Sequence, residues 1–304
     1  MEGISKDNSR GIEIGPWTNP VAPRSQGWQT LIVDYTDAES LRDNARKHAG
    51  TVHQDMIDNI EEVDIVWQGG SLRELLLSKD IGNLDYFVSS HNIEHSVDIV
   101  DHLQAAEVAL AQRGVMSLAV PDMRYTFDLL RSPTTVADAL RVHRYGLRVH
   151  EPEYFLDQQL NSILNQGHPC WTTRTSLQEI TLTVDPLSTW NEYSRMLGES
   201  DYQDCHRWCF VPASFELLLY DLRWMGLVNL RITSMRSAET GILGSEFLVQ
   251  LKKAKNFQDK APPSSERIKK KRLALQFKVM QQLADRLRIP YHQYVESVDQ
   301  KNKA

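Results

Sequence analysis

The stretch Gly11-Ile12-Glu13-Ile14-Gly15-Pro16-Trp17-Thr18-Asn19-Pro20 is where the fold is first legible. Gly11 to Ile14 reads as a short strand, and the Gly15-Pro16 pair ends it in a turn. Glycine at that turn lets the backbone bend tightly and approach a ligand closely. A second apolar run, Thr30-Leu31-Ile32-Val33, is closed by Asp34. An acid about 20 residues beyond the first turn is placed to accept both hydroxyls of a ribose. The patterns G-x-G-x-x-G and G-x-x-x-x-G-K-[ST] are both absent, and Pro16 and Trp17 stand where the first would continue. A ribose acceptor without a phosphate cradle points to a nucleoside cofactor that carries no phosphates.

The same rhythm continues outward. Val63 to Trp67 is a third strand, stopped by Gly69-Gly70; Asp85 to Ser89 is a fourth; Val115 to Val120 is a fifth, stopped by Pro121. Helical spacing runs from about Ala38 to Ala49 and from about Val97 to Gln112. Apolar strands alternating with helices predict an α/β fold, a parallel sheet with helices on both faces. Ligands of such sheets bind beyond the carboxyl ends of the strands. After Pro121 the alternation stops, and the stretch to Phe210 reads as an insertion over that ligand edge. Ser214 to Met225 is apolar at helical spacing, and Leu227 to Ile232 with Glu246 to Leu251 read as a hairpin that completes the sheet. The chain thus divides into a cofactor-binding half (1–120), an α-rich acceptor lid (121–210), the completion of the sheet (211–258) and a C-terminal helix (266–289).

With 304 residues, 41% apolar and 24% charged, the composition is that of a globular protein. Cys170, Cys205 and Cys209 are too few for a disulfide framework and fit a reducing compartment. No run approaches the length of a membrane span, and the N-terminus lacks the pattern of a secretory signal. A cytoplasmic location is expected, with peripheral contact to the inner membrane as an option for the tail. Residues 251–304 carry a net charge of +9 and the rest of the chain −15. An acidic body is a poor general binder of phosphate backbones, so no nucleic-acid partner is expected.

Three stretches resemble a known family. Gly11-Ile-Glu-Ile-Gly-Pro-x-x-Asn-Pro20 resembles the first motif of class I S-adenosylmethionine (SAM)-dependent methyltransferases. Ser90-His-Asn-Ile-Glu-His95 resembles their fourth-strand loop, and Gly114 to Pro121 their fifth strand. Val120 to Asp128 and His206 to Phe215 are similar to segments of the type-11-like branch found with bacterial polysaccharide glycosyltransferases. The resemblance implies a Rossmann-like sheet, SAM as cofactor, and methyl transfer to an oxygen of a sugar or surface polysaccharide. It also implies roles: Glu13 and Gly15 around the methionine part, Asp34 on the ribose, Ser71 and Leu72 beside the adenine, Ser90 and His91 facing the sulfonium, and Asn19 as a further cofactor-binding residue. The alternatives are a methyltransferase of a small metabolite and a degenerate domain that only binds a partner.

A hydroxyl acceptor needs a base to take its proton. His91, His95 and Asp122 lie at or just beyond the ends of the fourth and fifth strands and are the candidates. His91-x-x-Glu94-His95 also fits the zinc pattern H-x-x-E-H, but that chemistry needs both histidines on one helical face, and this stretch begins at a turn. No metal is expected there, since His91 stands where a first carboxylate ligand would be. Nor is one expected at Cys205-His206-x-x-Cys209, whose spacing is a weak zinc signal. Tyr125, Trp171 and Trp208 in the insertion could offer flat faces to sugar rings, and Arg124 could meet a phosphate or carboxylate. In the tail, Leu273, Phe277, Met280, Ala284 and Leu287 form an apolar stripe opposite a Lys269-Lys270-Lys271-Arg272 cluster. Its bland reading is packing on its own domain. Its sharper reading is docking on a partner, such as a glycosyltransferase, or on an anionic membrane.

Overall fold

A computed structural model describes residues 4–47, 52–175, 177, 180–197, 203–254 and 263–286. Strand β1 (Arg10–Ile14) pairs in parallel with β2 (Gln29–Asp34) on one side and, across a crossover, with β4 (Leu84–Ser90) on the other. The short β3 (Ile65–Val66) continues the sheet beyond β2, and β5 (Leu110–Pro121) continues it beyond β4, both in parallel. The antiparallel hairpin of β8 (Leu230–Arg236) and β9 (Glu246–Lys253) closes the far edge, with β9 inserted against β5. The strand order is β3-β2-β1-β4-β5-β9-β8. This is the mixed α/β sheet that the apolar runs imply.

Alternation along β1 and β4 sorts the two faces. Ile12, Ile14 and Phe87 enter the main core together with α3 (Leu72–Ser78), α4 (Ile99–Ala109) and α8 (Pro212–Trp224). Tyr86 and Val88 face the other way, against Ala22 and Trp28. Gly11 sits over that second face, where an added Cβ would lie 2.1 Å from the Tyr86 ring. Two more helices, α1 (Ala38–Lys47) and α2 (Gln54–Asp58), bury Leu41, Ala45 and Ile57 in a satellite cluster.

The helical spacing from Val97 overshoots at its end: α4 stops at Ala109 and β5 starts at Leu110. Leu110 pairs with Leu84 before the register shifts. Tertiary pairing there overrides a local helical pattern.

The insertion carries α5 (Val136–Tyr145), α6 (Pro152–Asn161), the small hairpin of β6 (Ile163–Asn165) and β7 (Ile180–Leu182), and α7 (Pro186–Met196). Its own core holds Leu129, Ile163 and Trp171, with Tyr125 packed against them.

Helix α9 (Ser265–Arg286) lies on α8. Arg272 holds the buried carboxylate of Asp221 at 2.8 Å, and Gln282 accepts the Ala213 amide at 2.9 Å. Leu275 is buried, while Val279 and Leu283 pack on Met123, Cys209 and Val211. Of the two readings of the Leu273–Phe277–Met280 stripe, packing on its own domain is not what these residues do: they are 54–65% exposed. Leu287 lies outside the described residues. The packed face carries its own apolar residues at helical spacing, Ile268, Leu275, Val279 and Leu283, so the sequence offers two stripes and the seat on the body selects between them. Among the described residues no helix is long and apolar enough to cross a membrane.

Ending the chain at Asp259 removes α9 and uncovers its apolar seat. The expected loss is about 2–4 kcal/mol, for one buried leucine, two half-buried neighbours and the Asp221 contact. Urea unfolding checks it, and an unchanged midpoint would show that α9 contributes nothing to the body.

Candidate functional site

The carboxyl ends of β1, β2 and β3 open on a crevice of about 610 Å³, lined among others by Gly15, Asp34, Trp67, Asn92, His95 and Asp204. That volume suits a ligand of nucleoside size. Gly15 has φ +59°, and a Cβ there would come within 2.3 Å of the Asn92 amide. The backbone therefore closes onto the loop after β4 in a way open only to glycine.

Asp34 ends β2 and is 4% exposed. Its Oδ1 accepts the Tyr35 amide at 2.8 Å, while Oδ2 is buried with no hydrogen-bond partner. Burial pushes its pKa up to about 6, against the opposing pull of the Tyr35 and Trp17 amides. An unmatched buried acceptor costs about 1–3 kcal/mol until something donates to it. Trp67, just after β3, likewise lines the crevice and has its indole N–H buried without a partner. One acceptor and one donor thus wait on a wall otherwise made of Trp17, Tyr35 and Val33.

Other residues of this half work behind the wall. Both oxygens of Glu13 are taken by the Val21 and Ala22 amides, at 2.7 and 2.9 Å. Glu13 thus faces away from the crevice and shapes the Trp17–Ala22 loop. Asn19 is exposed and turns that loop through a bond to Pro16. Ser71 caps α3 and donates to Asp101 at 2.5 Å, and the Leu72 amide donates to the same carboxylate at 2.7 Å. Neither lines the crevice; Trp67, Gln68, Gly69 and Gly70 do. Gly69-Gly70 marks the loop in the sequence, but the residues that line the crevice stand one to five positions before Ser71 and Leu72.

The expected catalytic groups separate. Asp122 is fully buried, and its two oxygens accept from Arg124 Nε at 2.8 Å and Nη2 at 2.5 Å. Arg124 is itself buried and reaches Glu239 at 2.7 Å. Asp122 is thereby committed to an internal ion pair, and Arg124 is not offered to a substrate. His91, with φ +47°, turns outward beside Ser90, and its Nε2 lies 2.6 Å from Glu246. Neither lines the crevice, but His95 does. Its Nδ1 lies 2.8 Å from Asp204. Burial would depress its pKa, but that bond and the charges of Glu94, Asp204 and Asp128 lift it to about 9.

The aromatics expected to receive an acceptor are interior. Trp208 is 2% exposed and donates to the Ser96 carbonyl, and Trp171 packs with Leu129 and Ile163. Tyr125 covers the same cluster under Arg124. Cys205 and Cys209 are buried, and burial pushes the Cys205 thiol up to about 12, so both behave as small apolar side chains.

One grouping escaped the sequence reading. Glu94, His95 and His206 bring ligand atoms within 4.8 Å of one another. His206 arrives from the end of the insertion because the Glu94 carbonyl accepts the amides of Arg207 and Trp208, at 2.9 and 3.2 Å. The H-x-x-E-H pattern was the available signal, but His91 belongs to the rim and the partner lies more than a hundred residues away.

No protein-family model matches the chain, and no curated protein matches it in sequence. Solved structures are similar to it only remotely. The methyltransferase CalH, bound to S-adenosylhomocysteine, is 12% identical with a TM-score of 0.38, over 82% of this chain and 52% of its own. This chain therefore spans about half of that protein's length. The CcbJ methyltransferase of Streptomyces caelestis is 13% identical with a TM-score of 0.39, over 81% of this chain and 89% of its own. A protein assigned to the Zn-dependent alcohol dehydrogenases of Rhodobacter sphaeroides is 12% identical with a TM-score of 0.44, over 84% and 87%. With likenesses this remote, the functional reading stands on the residues of the crevice.

Asp34 gives the site a stability signature. Its pKa is about 6 in the fold against the ordinary 3.8, so the folded state holds its proton more tightly than the unfolded chain. Stability is then fully present below about pH 4 and falls as pH rises to about 6. Asp34→Asn removes this loss. It should be more stable than the parent by about 2–3 kcal/mol at pH 7 and equal to it near pH 3. Denaturant titrations at the two pH values check this, and an equal shift at both would assign the effect to something other than ionisation.

Proposed function

We propose that this chain is a SAM-dependent methyltransferase acting on an oxygen of a sugar or surface polysaccharide. The observation that supports it most is the buried, unmatched Oδ2 of Asp34 at the end of β2, in a crevice of nucleoside size without a phosphate cradle. Bound there, SAM supplies a methyl group activated on sulfur.

The chain's own residues do the rest. Asp34 accepts the ribose hydroxyls, and Gly15 lets the first loop close on the methionine part. Trp67 and Gln68 form the wall for the base, with the indole N–H as donor. Trp17 and Tyr35 screen the crevice from water, and the main contribution to rate is positioning. Among the three expected bases only His95 lines the crevice, so the acceptor is met there. The sugar assignment draws on the motif resemblance. The exposed Trp190 and its neighbour Tyr193, 5.5 Å apart on α7, could serve as a flat face in place of the buried Trp171 and Trp208. For α9 the exposed Leu273, Phe277 and Met280 beside Lys269 to Lys271 favour docking on an anionic membrane surface.

Calorimetric titration with SAM should show binding, and titration with NAD should show none. Asp34→Ala should weaken SAM binding by about 1.5–3 kcal/mol. In the parent protein affinity should rise from pH 5 to pH 7, as Asp34 gives up its proton near 6, and Asp34→Asn should abolish that rise. A folded protein that gives no heat with SAM is a binding domain and not a methyltransferase. If SAM binds, transfer assays against sugar nucleotides and small hydroxylated metabolites separate the two acceptor classes.

The surface reading of α9 has its own measurement. Each basic residue near an anionic bilayer contributes about 1 kcal/mol, and salt screens it. Cosedimentation with phosphatidylserine vesicles should fall in a Phe277→Asp, Met280→Asp double variant of unchanged stability. Equal cosedimentation of parent and variant would reject the stripe as the contact.

A further inference from the structure

We infer that Glu94, His95 and His206 form a binding site for a divalent first-row transition-metal ion, of the zinc, cobalt or manganese class, at the edge of the crevice.

The argument starts from Glu94. Its side chain is 1% exposed, and neither carboxylate oxygen has a hydrogen-bond partner. Burying a carboxylate in that way is among the costlier arrangements open to a protein. Two imidazoles face it. His95 Nε2 lies 3.8 Å and His91 Nδ1 3.7 Å from Glu94 Oε1. These separations are too long for hydrogen bonds. Two ligands each about 2.1 Å from a shared ion stand about 3.4 Å apart in a tetrahedral site, so small side-chain shifts bring Glu94 and His95 to that spacing.

The histidines are also oriented as metal ligands are. His95 has Nδ1 on Asp204 at 2.8 Å, and His206 has Nδ1 on Asp128 at 2.6 Å. A carboxylate on one ring nitrogen fixes the tautomer and turns the other nitrogen toward the ion. Asp128 is held in turn by Arg131 at 2.9 Å, so this outer support is rigid. The rings of His95 and His206 meet edge to face with centroids 4.7 Å apart. Two imidazoles and one carboxylate suit a first-row transition ion better than magnesium or calcium, which prefer all-oxygen sets. Three protein ligands also leave coordination positions for an oxygen of a bound molecule. That such an oxygen belongs to the methyl acceptor rests on the methyl-transfer reading; the site itself does not.

The test uses the full chain without an affinity tag, stripped with a chelator and dialysed. Titration with Co²⁺ should give one equivalent per chain with visible d–d absorption, and Zn²⁺ should displace it. Glu94→Gln and His206→Gln should each weaken binding at least 100-fold. Asp204→Asn, which removes only the outer support of His95, should weaken it about 10-fold. Circular dichroism confirms that each variant is folded; should Glu94→Gln fail to fold, His206→Gln carries the same criterion. Failure of the folded parent to bind either ion stoichiometrically, or unchanged binding in a folded ligand variant, would overturn the site. All of this is measured without SAM, so the site and the methyl-transfer reading can fail independently.

Discussion

The reversal of the chain between β1 and β4 is the constraint on which the rest of the molecule depends. From β1 the chain moves outward through β2 and β3, then returns to pair β4 on the opposite side of β1. Crossovers between parallel strands take one hand, so the connections diverge at this point and leave a gap above the strand ends. Gly15 and Asn92 meet across that gap, and Asp34 and Trp67 stand along its other side. A ligand site is thus a geometric consequence of the strand order.

A second constraint ties the insertion to this gap. The Glu94 carbonyl takes the amides of Arg207 and Trp208, and the buried Arg131 reaches Asp128, Asp157 and the His206 carbonyl. Arg207 is clamped between Glu151 and the face of Tyr154, 3.7 Å away. The Glu94 bonds, with the His95–Asp204 contact, hold the segment from Asp204 to Trp208 against the loop after β4, and the arginine contacts fix that segment within the insertion. They explain why Arg124, Arg131 and Arg207 are buried. Arg131 and Arg207 brace segments of the insertion against one another, Arg124 reaches Glu239 between β8 and β9, and charge-assisted, forked hydrogen bonds suit them to these roles.

Departures from ordinary packing collect around the same place. Trp17 and His91 hold positive φ angles of 42° and 47°, unusual for residues with side chains. Asp34, Glu94 and Trp67 bury polar atoms without partners. His102, which lines the crevice, is buried with no hydrogen-bond partner on either ring nitrogen, and burial pushes its pKa down to about 4. Such features lower stability wherever they occur, and those of Trp17, Asp34, Trp67 and His102 lie in the crevice lining, where binding can oppose stability.

The sequence by itself determined the sheet, because apolar runs bounded by Gly15, Asp34, Gly69 and Pro121 are local signals of strands and of the loops between them. It also singled out Gly15 and Asp34, a tight turn and an acid after the second strand, and both line the crevice. It could not decide what each polar side chain faces. Glu13 and Asp122 look like site acids in one dimension. Only the folded chain shows that their oxygens are taken by Val21, Ala22 and Arg124. Spacing likewise placed an apolar stripe on α9, but the seat offered by Met123, Cys209 and Val211 drew in the other apolar line, with Leu275, Val279 and Leu283. The Glu94, His95 and His206 cluster depends on a contact between segments 112 residues apart in the chain, and no local pattern encodes a pairing of that range.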